Sequence, residues 1–181
     1  QEQKKREAYR CLVIITDSHI REQLCEFLAD SHIPVYYQMH GIGTASSEWL
    51  ELCGLGSIQK SITLCFIPNG RKKILLAEMN QALSLHKKGT GIAVSIPMNG
   101  MQGFLYKLLN EHTAESDGEE VEKEVKKMSE PITHAMILVT INQGYSDAVM
   151  NTARAAGATG GTILKGLRCS PGTVSYTHLR A

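Results

Sequence analysis

The sequence predicts an α+β fold in which one small module, an antiparallel sheet backed by helices, occurs twice and is incomplete the second time. The first observation is a repeated unit. Leu12-Val13-Ile14-Ile15-Thr16 opens a strand–helix–strand run ending at Gly41-Ile42-Gly43, and Ile137-Leu138-Val139-Thr140 opens another ending at Gly166. Threonine and glycine are 25 residues apart in the first run (41 − 16) and 26 in the second (166 − 140). The second observation is periodicity, since apolar residues alternate in the strand segments and recur at helical spacing between them.

Each element follows from local chemistry. Tyr9 to Thr16 is rich in β-branched and aliphatic residues and predicts a strand. Asp17 or Ser18 is placed to cap the next helix, where Ile20, Leu24, Phe27 and Leu28 form one apolar stripe. Pro34 restarts the chain as a strand through Val35, Tyr36 and Met39 to Gly41. Thr44 to Gly56 reads as a polar loop with a short helix near Glu48 to Cys53, closed by Gly54 and Gly56. Ser61 to Ile67 predicts a third strand, ended by Pro68. Asn69 is a candidate cap for a helix carrying Leu75, Met79, Ala82 and Leu83. In Gly91 to Pro97, Ile92, Val94 and Ile96 alternate with Ala93 and Ser95, which predicts a fourth strand. The order β-α-β-β-α-β is that of the ferredoxin-like split βαβ fold.

The organisation that follows is a first module over 7–110, an acidic linker over 111–131, and a truncated second module over 132–173. The linker lacks aromatics, and only Val121, Val125 and Met128 could line a helix face. In the second module a strand is expected at His134 to Thr140, a helix around Ser146 to Ala156 capped by Gly157, and a strand at Gly161 to Leu164. Such a half-module has an unpaired strand edge and is expected to pack on the first by strand edge or helix face. The last eight residues, Val174 to Ala181, read as a translated sequencing adapter and carry no functional weight.

Composition narrows function mainly by exclusion. With 43% apolar residues and a net charge of +1 over 181 residues, the chain presents no electrostatic case for nucleic acid or a membrane surface. Its apolar runs are strand-sized, so no membrane insertion is expected. Five cysteines without a CxxC pair, several in apolar runs, fit a reducing cytoplasm. No Ser-His-Asp context, HExxH or P-loop is present, so an enzyme is not expected. Two glycine segments stand out instead: His40 to Ser47, leaving the second strand, and Lys87 to Val94, opening the fourth. Bared backbone N–H groups beside Lys87 and Lys88 suit an anion cradle. Trp49 reads equally as a partner-facing anchor or a cap on the core. Two alternative readings stay open. One is an acylphosphatase-like enzyme using Arg71 beside Asn69; the other is a metal-responsive trimeric protein with His and Cys ligands from separate strands.

The runs Gly41-Ile42-Gly43-Thr44-Ala45-Ser46-Ser47-Glu48, Leu52-Cys53-Gly54-Leu55-Gly56 and Gly89-Thr90-Gly91-Ile92-Ala93 resemble divergent, PII-like members of the nitrogen regulatory protein PII family. Ala153 to Thr162 resembles the first helix and second strand of the same family. The resemblance implies a cytoplasmic signal-transduction protein that regulates nitrogen utilisation by controlling an enzyme, a transporter or another regulator. It implies a homo-oligomer or pseudo-trimer binding ATP, ADP or AMP between subunits, with no nucleic acid as partner. On this reading the nucleotide residues are Gly41, Gly43, Thr44, Lys88, Gly89, Thr90 and Gly91, and the partner loop is Ser46, Ser47, Glu48 and Trp49. No metal and no catalytic residue is implied. The chain departs from the family in lacking the loop tyrosine motif and the basic residues after the fourth strand, where it reads Pro97-Met98-Asn99-Gly100-Met101-Gln102-Gly103.

Overall fold

A computed structural model describes residues 8–42, 59–85, 87, 90–113 and 136–170. The expected loop helix near Glu48 to Cys53, the linker over 114–131 and the adapter-like tail lie outside the described residues. By contacts the chain divides into two units, one of Gln1–Val121 with Lys165–Ala181, the other of Glu122–Leu164.

In the first unit, strand β1 (Tyr9–Asp17) leads through a 3-10 turn (Ser18–Ile20) to helix α1 (Arg21–Asp30). Strands β2 (Tyr36–Ile42) and β3 (Gln59–Pro68) follow, then a 3-10 turn (Asn69–Arg71), helix α2 (Lys72–Leu83) and strand β4 (Gly91–Pro97). The sheet order is β4-β1-β3-β2-β5, where β5 is Gly166–Cys169, and every neighbouring pair is antiparallel. Strands β1 to β4 in this order are the ferredoxin-like arrangement: β3 lies between β1 and β2, and β1 lies between β3 and β4.

Alternation along the strands builds two cores, one on each face. Leu12 and Ile14 of β1, Tyr36 of β2, and Cys65 and Ile67 of β3 pack against Ile20, Leu24 and Leu28 on one side and Leu75, Met79 and Leu83 of α2 on the other. These are the expected helix stripes, except that Phe27 is half-buried and Ala82 is exposed. Burial pushes the Cys65 thiol up to about 12, with nearby Cys11 adding to the shift, so it stays neutral in the core.

The opposite face is covered by an element absent from the sequence reading. Helix α3 (Gly103–Thr113) sets Leu109 on Tyr9, Cys11, Val35 and Phe66. Tyr9 anchors it twice: its ring meets Tyr106 edge-on at 5.7 Å, and its hydroxyl donates to Asn110 Oδ1 at 2.6 Å. Coverage stops short of the far end of this face, where Ile92 and Val94 of β4 are 44% and 47% exposed. Val13, Ile15 and Ile62 beside them are only half-buried.

Both expected side-chain caps are redirected by longer-range partners. Asp17 makes no capping bond and instead takes Lys60 as counter-ion. Asn69 makes none either; its Oδ1 accepts from Arg10 Nη1 at 3.3 Å, while Arg10 Nε donates to Ser95 Oγ at 2.6 Å. One arginine thereby ties β1, β4 and the turn before α2 together.

The second unit corrects the expected half-module. Residues 136–140 and 161–164 carry no strand, and Ile137 is 86% exposed. A strand exists only through pairing, and the strand that forms lies just downstream and belongs to the first unit: β5 adds to the edge of β2, Gln38 opposite Leu167 and Tyr36 opposite Cys169. Helix α4 (Ser146–Ala155) forms where expected and ends on Gly157 at φ +96°. The Gly157 N–H donates to the Arg154 carbonyl at 3.0 Å and the Ala158 N–H to that of Ala153 at 2.9 Å, a complete Schellman motif.

Helix α1 ends in the same motif without glycine. The His32 N–H donates to the Ala29 carbonyl and the Ile33 N–H to that of Leu28, both at 3.0 Å, with His32 at φ +55°. A side chain in that conformation costs roughly 1 kcal/mol. His32→Gly is therefore expected to stabilise the protein by about 0.5–1 kcal/mol. Urea denaturation checks this, and a lower midpoint for the variant would contradict it.

Candidate functional site

The pairing register gathers the sequence-predicted glycines at one end of the sheet. Gly91, Thr16, Ser61 and His40 form one row across β4, β1, β3 and β2; Asp17, Lys60 and Gly41 form the next row. The strand ends that lead into both segments singled out for binding, Gly41 of β2 and Gly91 of β4, thus border the same rim, on opposite sides of the central strands β1 and β3.

Gly91 is required there by space. A Cβ would lie 2.6 Å from the Ile15 carbonyl oxygen and 2.8 Å from Thr16 Cγ2, so no side chain fits. Gly41 is less constrained, because a Cβ would meet only the flexible end of Ile62 at 3.0 Å. The Thr90 hydroxyl lies 2.6 Å from the Lys87 carbonyl and 2.9 Å from that of Ser84, and donates its single proton within this turn. That bond clasps the turn before β4. Gly43, Thr44, Ser46, Ser47, Glu48, Trp49, Lys88 and Gly89 lie outside the described residues.

The rim also holds groups that the sequence reading passed over. Lys60 Nζ donates to Asp17 Oδ1, and the two side chains are 6% and 9% exposed. Each charge tolerates burial only because the other is present. On the row behind, Thr16 Oγ1 and Ser61 Oγ are buried without a hydrogen-bond partner among the described residues, and so is Thr63 Oγ1 further along β3. A buried hydroxyl left unmatched costs about 1–3 kcal/mol, so a polar partner at these three, two of them adjacent in register, would be stabilising. The signal for Lys60 and Asp17 is present in the sequence, one residue at a strand's start and one at a strand's end. It becomes legible only once β1 is known to pair with β3.

The rim combines two buried hydroxyls, two strand-end glycines and a buried, mutually neutralised ion pair. Among the described residues no three His, Cys, Asp or Glu side chains are placed to hold a metal ion. Asn69 and Arg71 have separate partners: Asn69 accepts from Arg10, and Arg71 Nη2 donates to the Ser31 carbonyl at 3.4 Å. No described helix is long and apolar enough to cross a membrane.

No protein-family model matches the chain. No curated protein matches it either. Among solved structures, a functionally unknown protein from Pediococcus pentosaceus aligns at 13% identity and TM-score 0.41, covering 53% of this chain and 97% of that one. The divalent ion tolerance protein CutA1 from Ehrlichia chaffeensis aligns at 9% identity and TM-score 0.41, over 59% of this chain and 96% of its own. A Bacillus cereus protein related to NIF3 gives 14% identity and TM-score 0.39, over 52% of this chain and 26% of its own. At these values the likeness carries no argument about activity, and the ferredoxin-like assignment stands on strand order and register.

The ion pair generates a test. Lys60→Met alone leaves Asp17 buried without its counter-charge and is expected to destabilise the fold by about 3–5 kcal/mol. Lys60→Met combined with Asp17→Leu should recover most of that loss. Chemical denaturation of the single and double variants checks the coupling, which additive effects would disprove.

Proposed function

We propose that this chain is a PII-like regulatory module, a binding protein and not an enzyme, whose effector is taken at the rim formed by β1 to β4. The observation that carries the reading is the register. It brings Gly41 and Gly91 to one end of the sheet, beside two buried hydroxyls that lack partners and a buried ion pair. Hydroxyl donors and glycine-bared backbone are the chemistry that phosphate oxygens and ribose hydroxyls accept. The effector of this reading is an adenine nucleotide, as the family resemblance implies, and it reaches the buried Thr16 and Ser61 hydroxyls by opening of the rim. The free cysteines Cys11, Cys25, Cys65 and Cys169 suit a cytoplasmic setting.

The second half of the reading concerns assembly. The end of the sheet face that α3 leaves uncovered carries Ile92 and Val94, 44% and 47% exposed, flanked by half-buried Val13, Ile15 and Ile62. A contiguous apolar surface of this kind favours association. In this reading it joins copies of the chain into a homo-oligomer, a trimer by the resemblance, and the signal passes to an enzyme or transporter of nitrogen metabolism through the loop after β2.

Calorimetric titration of the full chain with ATP, ADP and AMP tests the ligand. Saturable heat is expected with at least one of them. Thr16→Val with Ser61→Ala should weaken it by roughly tenfold, about 1.4 kcal/mol for the two hydroxyls together. The same variant should match or exceed the parent in stability, since it removes buried groups that have no partner. Sedimentation should show an oligomer that Val94→Lys dissociates. Absence of heat with all three nucleotides would refute the effector, and a monomer at micromolar concentration would refute the assembly.

A further inference from the structure

A cluster of polar and sulfur groups joins α1, β2 and β5, centred two residues along β2 from the rim row. The Gln38 amide is its centre. Gln38 Nε2 donates to Cys25 Sγ at 3.0 Å, while Gln38 Oε1 accepts from Arg21 Nε at 3.1 Å and lies 4.0 Å from Cys169 Sγ. Tyr36 is the register partner of Cys169 and lies in the same core as Cys25. The two sulfurs therefore face opposite ends of one amide group. Both cysteines are half-buried, unlike Cys11 and Cys65, which are closed off in the two cores.

We propose that Cys25 and Cys169 form a redox-active dithiol that low-molecular-weight disulfides of the glutathione class close into a Cys25–Cys169 bond, locking β5 to α1. The strand it would lock is held by backbone pairing on one side and by Cys169 packed against the core. Strand β5 is four residues long and stands at the sheet edge, paired with β2 alone. With β5 in place the edge of β2 is covered; without it, a row of β2 backbone groups is open to another strand. The thiol state thereby sets how firmly that edge is closed.

The exchange balances in two steps. One cysteine thiolate attacks the glutathione disulfide, forming a mixed disulfide and expelling one glutathione thiolate. The second cysteine, as thiolate, then attacks the protein sulfur of that mixed disulfide and expels the other glutathione thiolate. Two cysteine S–H bonds are lost, one S–S bond forms in the protein, and one disulfide is reduced to two thiols. For closure the Gln38 side chain must leave the space between the sulfurs and β5 must shift toward α1, which a short edge strand allows. Burial and nearby Cys25 push the Cys169 thiol up while the Arg21 guanidinium lowers it, so closure belongs to mildly alkaline or strongly oxidising conditions.

The test uses the full chain in a Cys53→Ser background, equilibrated with oxidised and reduced glutathione at about pH 8.5, near the ordinary thiol range. Peptide mapping without reductant should recover a cross-linked Cys25–Cys169 pair, absent from Cys25→Ser and from Cys169→Ser. Amide exchange in Gly166 to Cys169 should slow at least tenfold on oxidation. Gln38→Ala, which removes the intervening amide, should raise the cross-linked fraction severalfold at the same glutathione ratio. Separate glutathione adducts on the two cysteines, pairing of either with Cys11 or Cys65, or no change in β5 exchange would each overturn the proposal.

Discussion

The antiparallel pairing of β1 with β3 is the constraint on which the first unit depends. Nine consecutive residues of β1, Tyr9 to Asp17, find partners in β3, and β1 also carries β4 on its other edge. Its alternate residues build both cores, Leu12 and Ile14 toward α1 and α2, Tyr9 and Cys11 toward α3. The last two pairs of the ladder, Thr16 with Ser61 and Asp17 with Lys60, create the rim. Fold and candidate site are in this sense one interaction read from its two ends.

Elements governed by local chemistry were legible from sequence. The stretch Gly91–Pro97 forms its strand with the expected bounds, and α1 and α2 bury Leu24, Leu28, Leu75 and Met79 as their spacing requires. What was not legible depends on partners distant in the chain. Asp17 and Asn69 have the composition of helix caps, yet a buried lysine and an arginine claim them. Ile137 to Thr140 has the β-branched character of β1, but propensity without a paired neighbour makes no strand. Helix α3 carries a readable stripe, Leu105, Leu108 and Leu109, that Phe104 obscures by standing 70% exposed.

The candidate site divides along the same line. Gly91 was legible because a turn before a strand favours glycine, and the structure adds the stronger reason that Ile15 and Thr16 leave no room for a Cβ. Thr90 was singled out for ligand chemistry but spends its hydroxyl on the turn. Lys60, Asp17 and the hydroxyls of Thr16, Ser61 and Thr63 gain their meaning only from register, which single-sequence periodicity does not supply.

Amide hydrogen exchange on the whole chain, read by mass spectrometry, tests the central claim most directly. If one sheet built on β1 and β3 organises the protein, the slowest amides will be those of Leu12 to Ile15 and Thr63 to Ile67. Gly166 to Cys169 will exchange at intermediate rates, and 136–141 will exchange fastest among these segments. Protection of 136–141 equal to that of β1 would show that the second copy builds a sheet of its own, and would contradict the account.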